Sequence, residues 1–500
     1  MKESRIECGV AAPSRADAIA LNVHGSGKNV KLRIDYITRA MLANVPDLLI
    51  DLLEIAAYVY CADQRLSRGT SALANFAEKW RRNLHFTIPV RALAIWQQQE
   101  VQRLLVETLG FLSDDSYSFE FRKATDPFLS RDLYFYDLID ASADYDVVAM
   151  FSGGLDSFAG ALQDVVLHKR PVCLVGHSSS PKVRHVQETL VAKLKTRGLE
   201  RRITYIPVWV TNENTQAVDY SQRTRSFLFA CLGLVIARMS GKDSLTFYEN
   251  GVVSINPPMA GDVVGGRATR TTHPRVLRGL EDLFSVLLER TIKIENPLQW
   301  MTKSEVAKLV QDAAMGDLLP LTNSCTRPRL WTTKHPHCGE CSQCIDRRFA
   351  ILAAGLGVHE PASNYKVDLL KADRSISDDR RMAVSYVSFF RKVAGTTRER
   401  FLAEFPEVVS AIDQFPGVSA EEARDRIHDL FQKQASAVHQ VIEKGIRDHA
   451  ADLAKNVLPA GSLLSLCLSR GGVEPPPPDD YDAQAKAFID RLAVPVFEFA

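Results

Sequence analysis

The sequence feature that most constrains the fold is a glycine turn between an apolar run and a helix-like run. The apolar run covers residues 145–151, the turn at Ser152–Ser157 reads Ser-Gly-Gly-Leu-Asp-Ser, and Phe158–Leu162 continues as a helix. Two glycines let the backbone approach an anion closely, and the N–H groups of a helix N-terminus point at it. We therefore expect a strand–turn–helix unit that binds an anion. The alternative is an ordinary turn in which a serine caps the helix.

The presence of Asp156 and the absence of a lysine limit which anion-binding motif this turn can be. Asp156 cannot bind an anion directly, which suggests a metal ion or an orienting role. No lysine follows the glycines, as the GxxxxGK[ST] phosphate loop requires. The hexapeptide resembles the PP-loop (SGGxDS) of the ATP pyrophosphatase family. This resemblance implies that ATP is cleaved between its α and β phosphates, that AMP is transferred to a substrate carbonyl or carboxylate oxygen, and that pyrophosphate sits in the loop.

A cluster of cysteines is the second informative feature. Cys338, Cys341 and Cys344 have two-residue gaps, and Cys325 precedes them closely. Such gaps let a turn direct successive thiolates at one centre, and four of them form the tetrahedral site preferred by structural zinc. We predict a structural Zn²⁺ knuckle at 325–344. An iron–sulfur cluster with the same ligands, or a chance grouping without metal, are the alternatives.

The two motifs together resemble the 7-cyano-7-deazaguanine synthase (QueC) family. That family has a PP-loop early in its domain and Cys…Cys-x-x-Cys-x-x-Cys near its end. Pro297–Val306 is similar to its Pro-Leu…Thr-Lys-Ala-Glu-Ile segment, and Arg225–Phe229 to its Gly-Arg-Asn-x-x-Phe-Leu segment. Its Tyr-Pro-Asp-Cys-Arg substrate segment has no clear copy here. The resemblance covers roughly residues 140–360 and implies an adenine nucleotide α-hydrolase-like PP-loop domain.

The resemblance and the predicted strand ends assign candidate roles to individual residues. Arg225 and Lys303 are candidates for neutralising phosphate charge in the transition state, and Asp156 for orienting the loop or helping to hold Mg²⁺ bound with ATP. The candidate catalytic residues are therefore Asp156, Lys303 and Arg225. The candidate ATP and pyrophosphate site comprises Ser152, Gly153, Gly154, Leu155, Asp156, Ser157 and His177. The candidate substrate site comprises Glu249, Asn250, Gly251 and Arg270, and the candidate metal ligands are Cys325, Cys338, Cys341 and Cys344.

The periodicity of apolar residues divides the 500 residues into three blocks. Strand and helix patterns alternate through residues 141–362, which predicts an α/β fold with a doubly wound parallel sheet. Such sheets bind ligands beyond the carboxyl ends of their strands, where Ser152, His177 and Glu249 should converge. Residues 1–140 read as an α+β domain of unknown role, and residues 363–500 as mostly helical, with a Pro-rich turn at 474–480 and an apolar end at 494–500.

Composition excludes several function classes. The formal net charge is +1, so no overall field favours nucleic acid or membrane. The N-terminus has no signal-peptide pattern and no apolar run approaches the roughly 20 residues of a membrane span. We therefore expect a cytoplasmic protein.

The blocks at residues 1–140 and 363–500 indicate what kind of molecule accepts the activated group. A small free nucleobase does not need them, whereas a large acceptor does. QueC-like proteins with such additions resemble components of bacterial antiphage systems of the Qat and type IV CBASS types. That resemblance implies a C–N ligase that adenylates a deazaguanine carboxylate and attaches it to the N-terminal amine of a partner protein. The alternatives are 7-cyano-7-deazaguanine synthesis, a PP-loop enzyme that modifies tRNA, and an ATP-binding scaffold without turnover.

Overall fold

The chain has the α/β architecture that the alternating pattern predicts. This computed structural model describes residues 3–24, 27–33, 45–68, 81–125, 145–213, 217–219, 221–259, 269–327, 330–374 and 377–469. The predicted Pro-rich turn and apolar end lie outside these residues. The strands are β1 (Glu3–Cys8), β2 (Ala18–Leu21), β3 (Val30–Arg33), β4 (Asn83–Val90), β5 (Ser116–Lys123), β6 (Val147–Met150), β7 (Val172–His177), β8 (Ile203–Asn212), β9 (Ser244–Thr246) and β10 (Lys293–Glu295).

Helices connect and cover these strands. They are α1 (Asp47–Arg65), α2 (Leu93–Trp96), α3 (Gln99–Ser113), α4 (Leu155–Leu162), α5 (Pro181–Leu194), α6 (Arg225–Met239), α7 (Gly251–Ile255), α8 (Pro274–Leu287), α9 (Lys303–Asp312), α10 (Ser342–Ala353), α11 (Ser377–Ala394), α12 (Arg398–Glu404), α13 (Pro406–Val409), α14 (Ala420–Asp448), α15 (Ala450–Ala454) and α16 (Leu463–Leu468). Among the described residues, none of these helices is long and apolar enough to cross a bilayer.

The first sheet belongs to the N-terminal block and has the order β2-β1-β4-β5. All of its pairings are parallel, so its connections are those of an α/β unit and the α+β prediction for this block needs correction. Alternation of apolar and polar residues marks a half-buried strand but carries no information on the direction of its neighbour. Buried residues do alternate along β4, where Leu84, Phe86, Ile88 and Val90 are all buried.

The second sheet is the larger one, with the order β10-β9-β6-β7-β8-β3. Its strands are parallel except for β3, which pairs antiparallel with β8. Alternate residues of β6 enter two different cores. Val148 and Met150 pack in the core that includes α6 and α8, whereas Val147 and Ala149 pack in the core that includes α4, α5 and α9. Helices therefore cover both faces of this sheet.

The N-terminal block and the second sheet are joined directly. Val30 of β3 is opposite Asn212 of β8, and Leu32 is opposite Val210. The Asp63 carboxylate of α1 accepts hydrogen bonds from the backbone N–H and the hydroxyl of Thr224, just before α6. The sequence pattern does not predict the pairing of β3 with β8, because strand pairing over this separation depends on tertiary contacts.

The helices after residue 377 form a third core together with α7 and α10. Ile345 and Phe349 of α10 and Val252 of α7 enter it together with residues of α11 and α14. The mostly helical C-terminal block is confirmed over the described residues, where α14 ends at Asp448 and α15 begins at Ala450. The C-terminal helices thus lie directly against α7, which follows β9, and against α10, which begins after Cys341.

Candidate functional site

The glycine turn opens at the carboxyl end of β6 and leads into α4. Gly153 has φ +80°, a conformation that favours glycine, and a Cβ there would lie 3.0 Å from Val186 Cγ1. The Ser152 hydroxyl lies 3.1 Å from that of Ser157 and accepts from the Gly154 N–H at 3.2 Å. Ser152 is exposed and Gly154 half-buried. The start of α4 therefore gathers hydroxyl and N–H groups in one turn, of which Ser152 is exposed.

A second segment supports this loop from below. The Asn323 N–H donates to the Gly153 carbonyl at 2.9 Å, and the Leu155 N–H donates to the Ser324 hydroxyl at 3.3 Å. The Arg347 guanidinium of α10 in turn donates to the Ser324 hydroxyl at 3.3 Å. The shape of the loop is thus tied to the stretch that immediately precedes Cys325.

Behind the loop, one lysine joins two acidic residues. The Lys303 ammonium lies 3.1 Å from an oxygen of Asp156 and 3.1 Å from an oxygen of Asp346. Lys303 begins α9, where Thr302 and Glu305 form a capping box. Burial opposes the lysine charge, but Asp156 and Asp346 more than offset this effect and raise the pKa of Lys303 above its ordinary value. The predicted phosphate-neutralising amine is therefore directed at carboxylates in this structure.

The segment after β9 reaches the same place. The Asn250 side-chain amide donates to the other oxygen of Asp156 at 2.9 Å, and the Asn250 side chain also caps α7. Burial, then the nearby Asp156 charge, raises the pKa of Glu249 to about 8. Two carboxylates, Asp156 and Asp346, thus pair with one ammonium, and the nearby Glu249 carboxyl holds a proton near neutral pH.

The C-terminal helices contribute to this cluster as well. The Tyr386 hydroxyl of α11 donates to Asp346 at 2.7 Å, and the Gln434 side chain of α14 donates to that hydroxyl at 2.9 Å. The Tyr386 ring stacks on Phe349 with the ring centres 5.1 Å apart. A continuous polar chain therefore runs from Asp156 through Lys303 and Asp346 into the C-terminal region.

His177 and Arg225 lie together beside the end of β7. The His177 ring is fully buried, lies edge-on to Tyr60 and Phe229, and its Nε2 is 3.0 Å from the Val210 carbonyl. Burial, then the Arg225 charge, lowers the pKa of His177 to about 3, so the ring is neutral. The Arg225 guanidinium lies 5.2 Å from the Phe229 ring centre, and its buried Nε has no hydrogen-bond partner among the described residues.

The other two predicted substrate residues, Gly251 and Arg270, have different surroundings from Glu249 and Asn250. Gly251 is buried, and a Cβ there would lie 2.0 Å from the Gln299 carbonyl oxygen, so close packing explains the glycine. Arg270 donates to the Phe111 carbonyl at 2.9 Å, near the end of α3. The structure brings Asp156, Lys303, Glu249 and Asn250 together and gives Arg270 contacts with the N-terminal block instead.

The four clustered cysteines converge as their spacing predicts. Their sulfur atoms lie within 4.8 Å of one another, all four residues are buried, and Cys338 and Cys344 Sγ are 3.8 Å apart. Four sulfurs about 2.3 Å from one tetrahedral zinc ion lie roughly 3.8 Å from each other. The backbone N–H groups of Glu340 and Cys341 point at Cys338 Sγ, each at 3.4 Å. The donor set therefore fits Zn²⁺, which these four residues can bind.

A buried ion pair connects this metal-binding unit to the loop. The Arg347 guanidinium, which is fully buried, pairs with the Glu360 carboxylate at 2.6 Å. The same guanidinium donates to Thr322 and Ser324. Because α10 begins immediately after Cys341, the cysteine cluster, Arg347 and the floor of the glycine turn form one connected unit.

Comparison with known protein families gives one finding. Residues 273–355 match the family model of the queuosine biosynthesis protein QueC. This part of the chain runs from the start of α8 to the end of α10 and contains Lys303, Asp346 and the four cysteines. The match covers 83 of the 500 residues and shows that this part of the chain is similar to QueC. No curated protein matches the chain.

Sequence reasoning missed several residues of the site. Asp346 follows the last cysteine by two positions but carries no motif of its own, and Tyr386 and Gln434 lie in helices with ordinary amphipathic patterns. Only the packing of α11 and α14 on α10 brings them to Lys303. Ser324 directly precedes Cys325 in the sequence, but no sequence pattern predicts its contact with the glycine turn.

Proposed function

We propose that the chain is an ATP-dependent ligase that adenylates a 7-deazaguanine carboxylate and transfers the acyl group to an amine. The proposal relies on one observation above all. The loop Ser152–Ser157 begins at the end of β6 with the exposed Ser152. Its Asp156 is paired with Lys303, and Lys303 lies in the part of the chain that matches QueC. The sheet with helices on both faces supports a doubly wound PP-loop domain.

The chemistry proceeds in two balanced steps. A carboxylate oxygen of the substrate attacks the α phosphorus of ATP, the bond to the bridging oxygen breaks, and pyrophosphate leaves. An amine nitrogen then attacks the acyl carbon, AMP leaves with the oxygen, and the nitrogen loses a proton to give an amide. Mg²⁺ bound with ATP would offset the charge of the departing pyrophosphate.

The protein's own groups divide this work. The serine hydroxyls and N–H groups at the start of α4 bind pyrophosphate, aided by the helix dipole. Lys303 acts through Asp156, which it holds in position from below. Arg225 Nε and His177 Nδ1 are buried and have no hydrogen-bond partner among the described residues, and we place part of the nucleotide near them. We place the substrate near Glu249 and Asn250, next to Asp156, which accepts a hydrogen bond from Asn250.

We further propose that the acceptor is the N-terminal amine of a partner protein in a bacterial antiphage system. The flanking blocks support this, because both contact the QueC-like part and neither is needed to make a free nucleobase. Amide formation with ammonia followed by dehydration to the nitrile, as in 7-cyano-7-deazaguanine synthesis, is the rival outcome, and it is compatible with the match to the queuosine biosynthesis protein QueC.

Pyrophosphate release from ATP in the presence of a 7-deazaguanine carboxylate tests the first half. We expect release by the wild type and none by Asp156→Ala, while Asp146→Ala, an exposed aspartate just before β6, should retain it. Release that does not depend on the carboxylate contradicts the proposed substrate.

Intact-mass spectrometry of neighbouring gene products co-expressed with this chain tests the second half. A deazaguanine-sized mass increase on a protein N-terminus supports conjugation. A free nitrile product with no modified protein rejects it and leaves the adenylation step standing.

A further inference from the structure

A cleft of about 400 Å³ lies where the end of α3 meets the segment before α8. Its volume falls within the range of small-molecule sites. Three arginines line it, together with one aromatic ring and acidic residues near the end of α3: Arg81, Arg270, Arg275, Phe111, Glu107 and Asp114.

Two of these arginines converge on one ring. The guanidinium carbon of Arg270 lies 4.5 Å from the centre of the Phe111 ring, and that of Arg275 lies 4.4 Å from it. Each contact is a favourable cation–π interaction, but the two like charges repel each other across this short space. An anion between them would remove that repulsion.

The carboxylates of the cleft are already engaged with other cations. Asp114 pairs with Arg81 at 2.8 Å, and Glu107 pairs with Arg103 at 2.7 Å. Asp115, at the back of the cleft, pairs with the buried Arg68 and Arg82. Within the part of the chain that the structure describes, no carboxylate lies within ion-pair distance of Arg270 or Arg275.

The backbone adds to the positive field. Arg275 is the second residue of the 14-residue helix α8, whose N-terminal N–H groups carry partial positive charge. The His273 side chain accepts from the Arg275 N–H, and its ring lies 5.0 Å from that of Phe111. Burial lowers the pKa of Arg270; the charges of Asp114 and Glu407 oppose this effect, and those of Arg81 and Arg275 add to it.

We propose that this cleft binds the dianionic phosphate group of a small molecule, either inorganic phosphate or a phosphate monoester. A dianion balances both unpaired guanidiniums, whereas a single carboxylate balances one. Three phosphate oxygens also accept more of the donors that two arginine forks present. The site is separate from the carboxylate cluster around Lys303, and its existence does not depend on the proposed ligase reaction.

Isothermal titration calorimetry of the full chain with inorganic phosphate, AMP and succinate tests this site. We expect the dissociation constant for phosphate to rise about tenfold or more in Arg275→Gln and in Arg270→Gln. The matched control is Arg278→Gln, one turn along α8, because Arg278 is already paired with Glu281 and Asp282. Binding at the Ser152–Ser157 loop is common to all four proteins and cancels in the comparison.

The outcomes separate the alternatives. Weaker phosphate binding in both variants with the control unchanged supports the site. AMP that binds more tightly than phosphate to the wild type, and loses this advantage in both variants, then identifies a phosphate ester as the ligand. Equal affinity in all four proteins overturns the proposal, as does succinate binding as tightly as phosphate. Thermal melting of each variant shows that it is folded, and Arg275 is exposed, so its loss should leave the fold intact.

Discussion

Lys303 and Asp156 form an ion pair at 3.1 Å in which the side chains are 1 % and 9 % exposed. The pair joins the first turn of α9 to the glycine turn after β6, two segments that are separated by almost 150 residues. Its second partner, Asp346, follows the cysteine cluster. A single ammonium therefore fixes the relative positions of the loop, the metal-binding unit and, through Tyr386, the C-terminal helices.

Replacement of Lys303 should destabilise the fold strongly. Lys303→Met leaves two buried carboxylates without their cation, and breaking a buried pair in this way costs about 3–5 kcal/mol. Urea denaturation measures the loss. Lys308→Met, at an exposed position of the same helix, should change the free energy of unfolding little. Equal losses in the two variants would show that the ion pair contributes nothing beyond helix packing.

The protonated Glu249 carboxyl gives a pH dependence of defined sign. Its pKa is about 8 in the folded protein and about 4.5 in the unfolded chain. Between these values the folded state binds more protons than the unfolded one, so stability falls as pH rises from about 5 to about 8. Glu249→Gln mimics the protonated form and should lack this component. The measurement is the difference in unfolding free energy between wild type and variant at several pH values; a constant difference contradicts the prediction.

The Tyr386 hydroxyl should couple energetically to Asp346. Tyr386→Phe keeps the stacking on Phe349 but removes the donor, which should cost about 1–3 kcal/mol because a buried acceptor loses its partner. A double-mutant cycle with Asp346→Asn should give a coupling energy of about 0.5–3 kcal/mol. Strictly additive effects on unfolding would mean that the C-terminal region is packed beside the site without acting on it.

The cysteine cluster should contain about one zinc ion per chain. Cys341→Ser removes one of four ligands and should lose most of the metal, as measured by mass spectrometry of the elements in purified protein. Cys467→Ser, a cysteine outside the cluster, is the matched control and should keep its zinc. Folded wild-type protein without metal, or iron in place of zinc, would reject the predicted centre.

The parts of the site that the sequence predicted are those with local signatures. A strand, two glycines and a helix in succession predict where Ser152–Ser157 lies, and cysteine gaps of two residues predict that the four sulfurs converge. Both follow from backbone geometry over a few residues. The second sheet's parallel core was also predictable, since strand and helix patterns alternate through residues 141–362 and β6, β7 and β8 pair in parallel there.

The rest depends on distant contacts that no short pattern encodes. The direction of Lys303 toward Asp156 and Asp346, rather than toward a ligand, follows from how α9 packs on α4 and α10. The parallel pairing of β1 with β4 and the antiparallel pairing of β3 with β8 likewise follow from tertiary structure. Short strands such as Lys293–Glu295 were missed because three residues are too few to show an alternation.

The pairing of β3 with β8 has a consequence for how the protein is dissected. A fragment that starts at residue 141 would lack Val30–Arg33, and the ten-residue strand β8 would become the open edge of the second sheet. Unpaired N–H and carbonyl groups along such an edge recruit strands from other molecules. The QueC-like part expressed alone should therefore self-associate, and a soluble truncation needs the N-terminal strand supplied in the same chain.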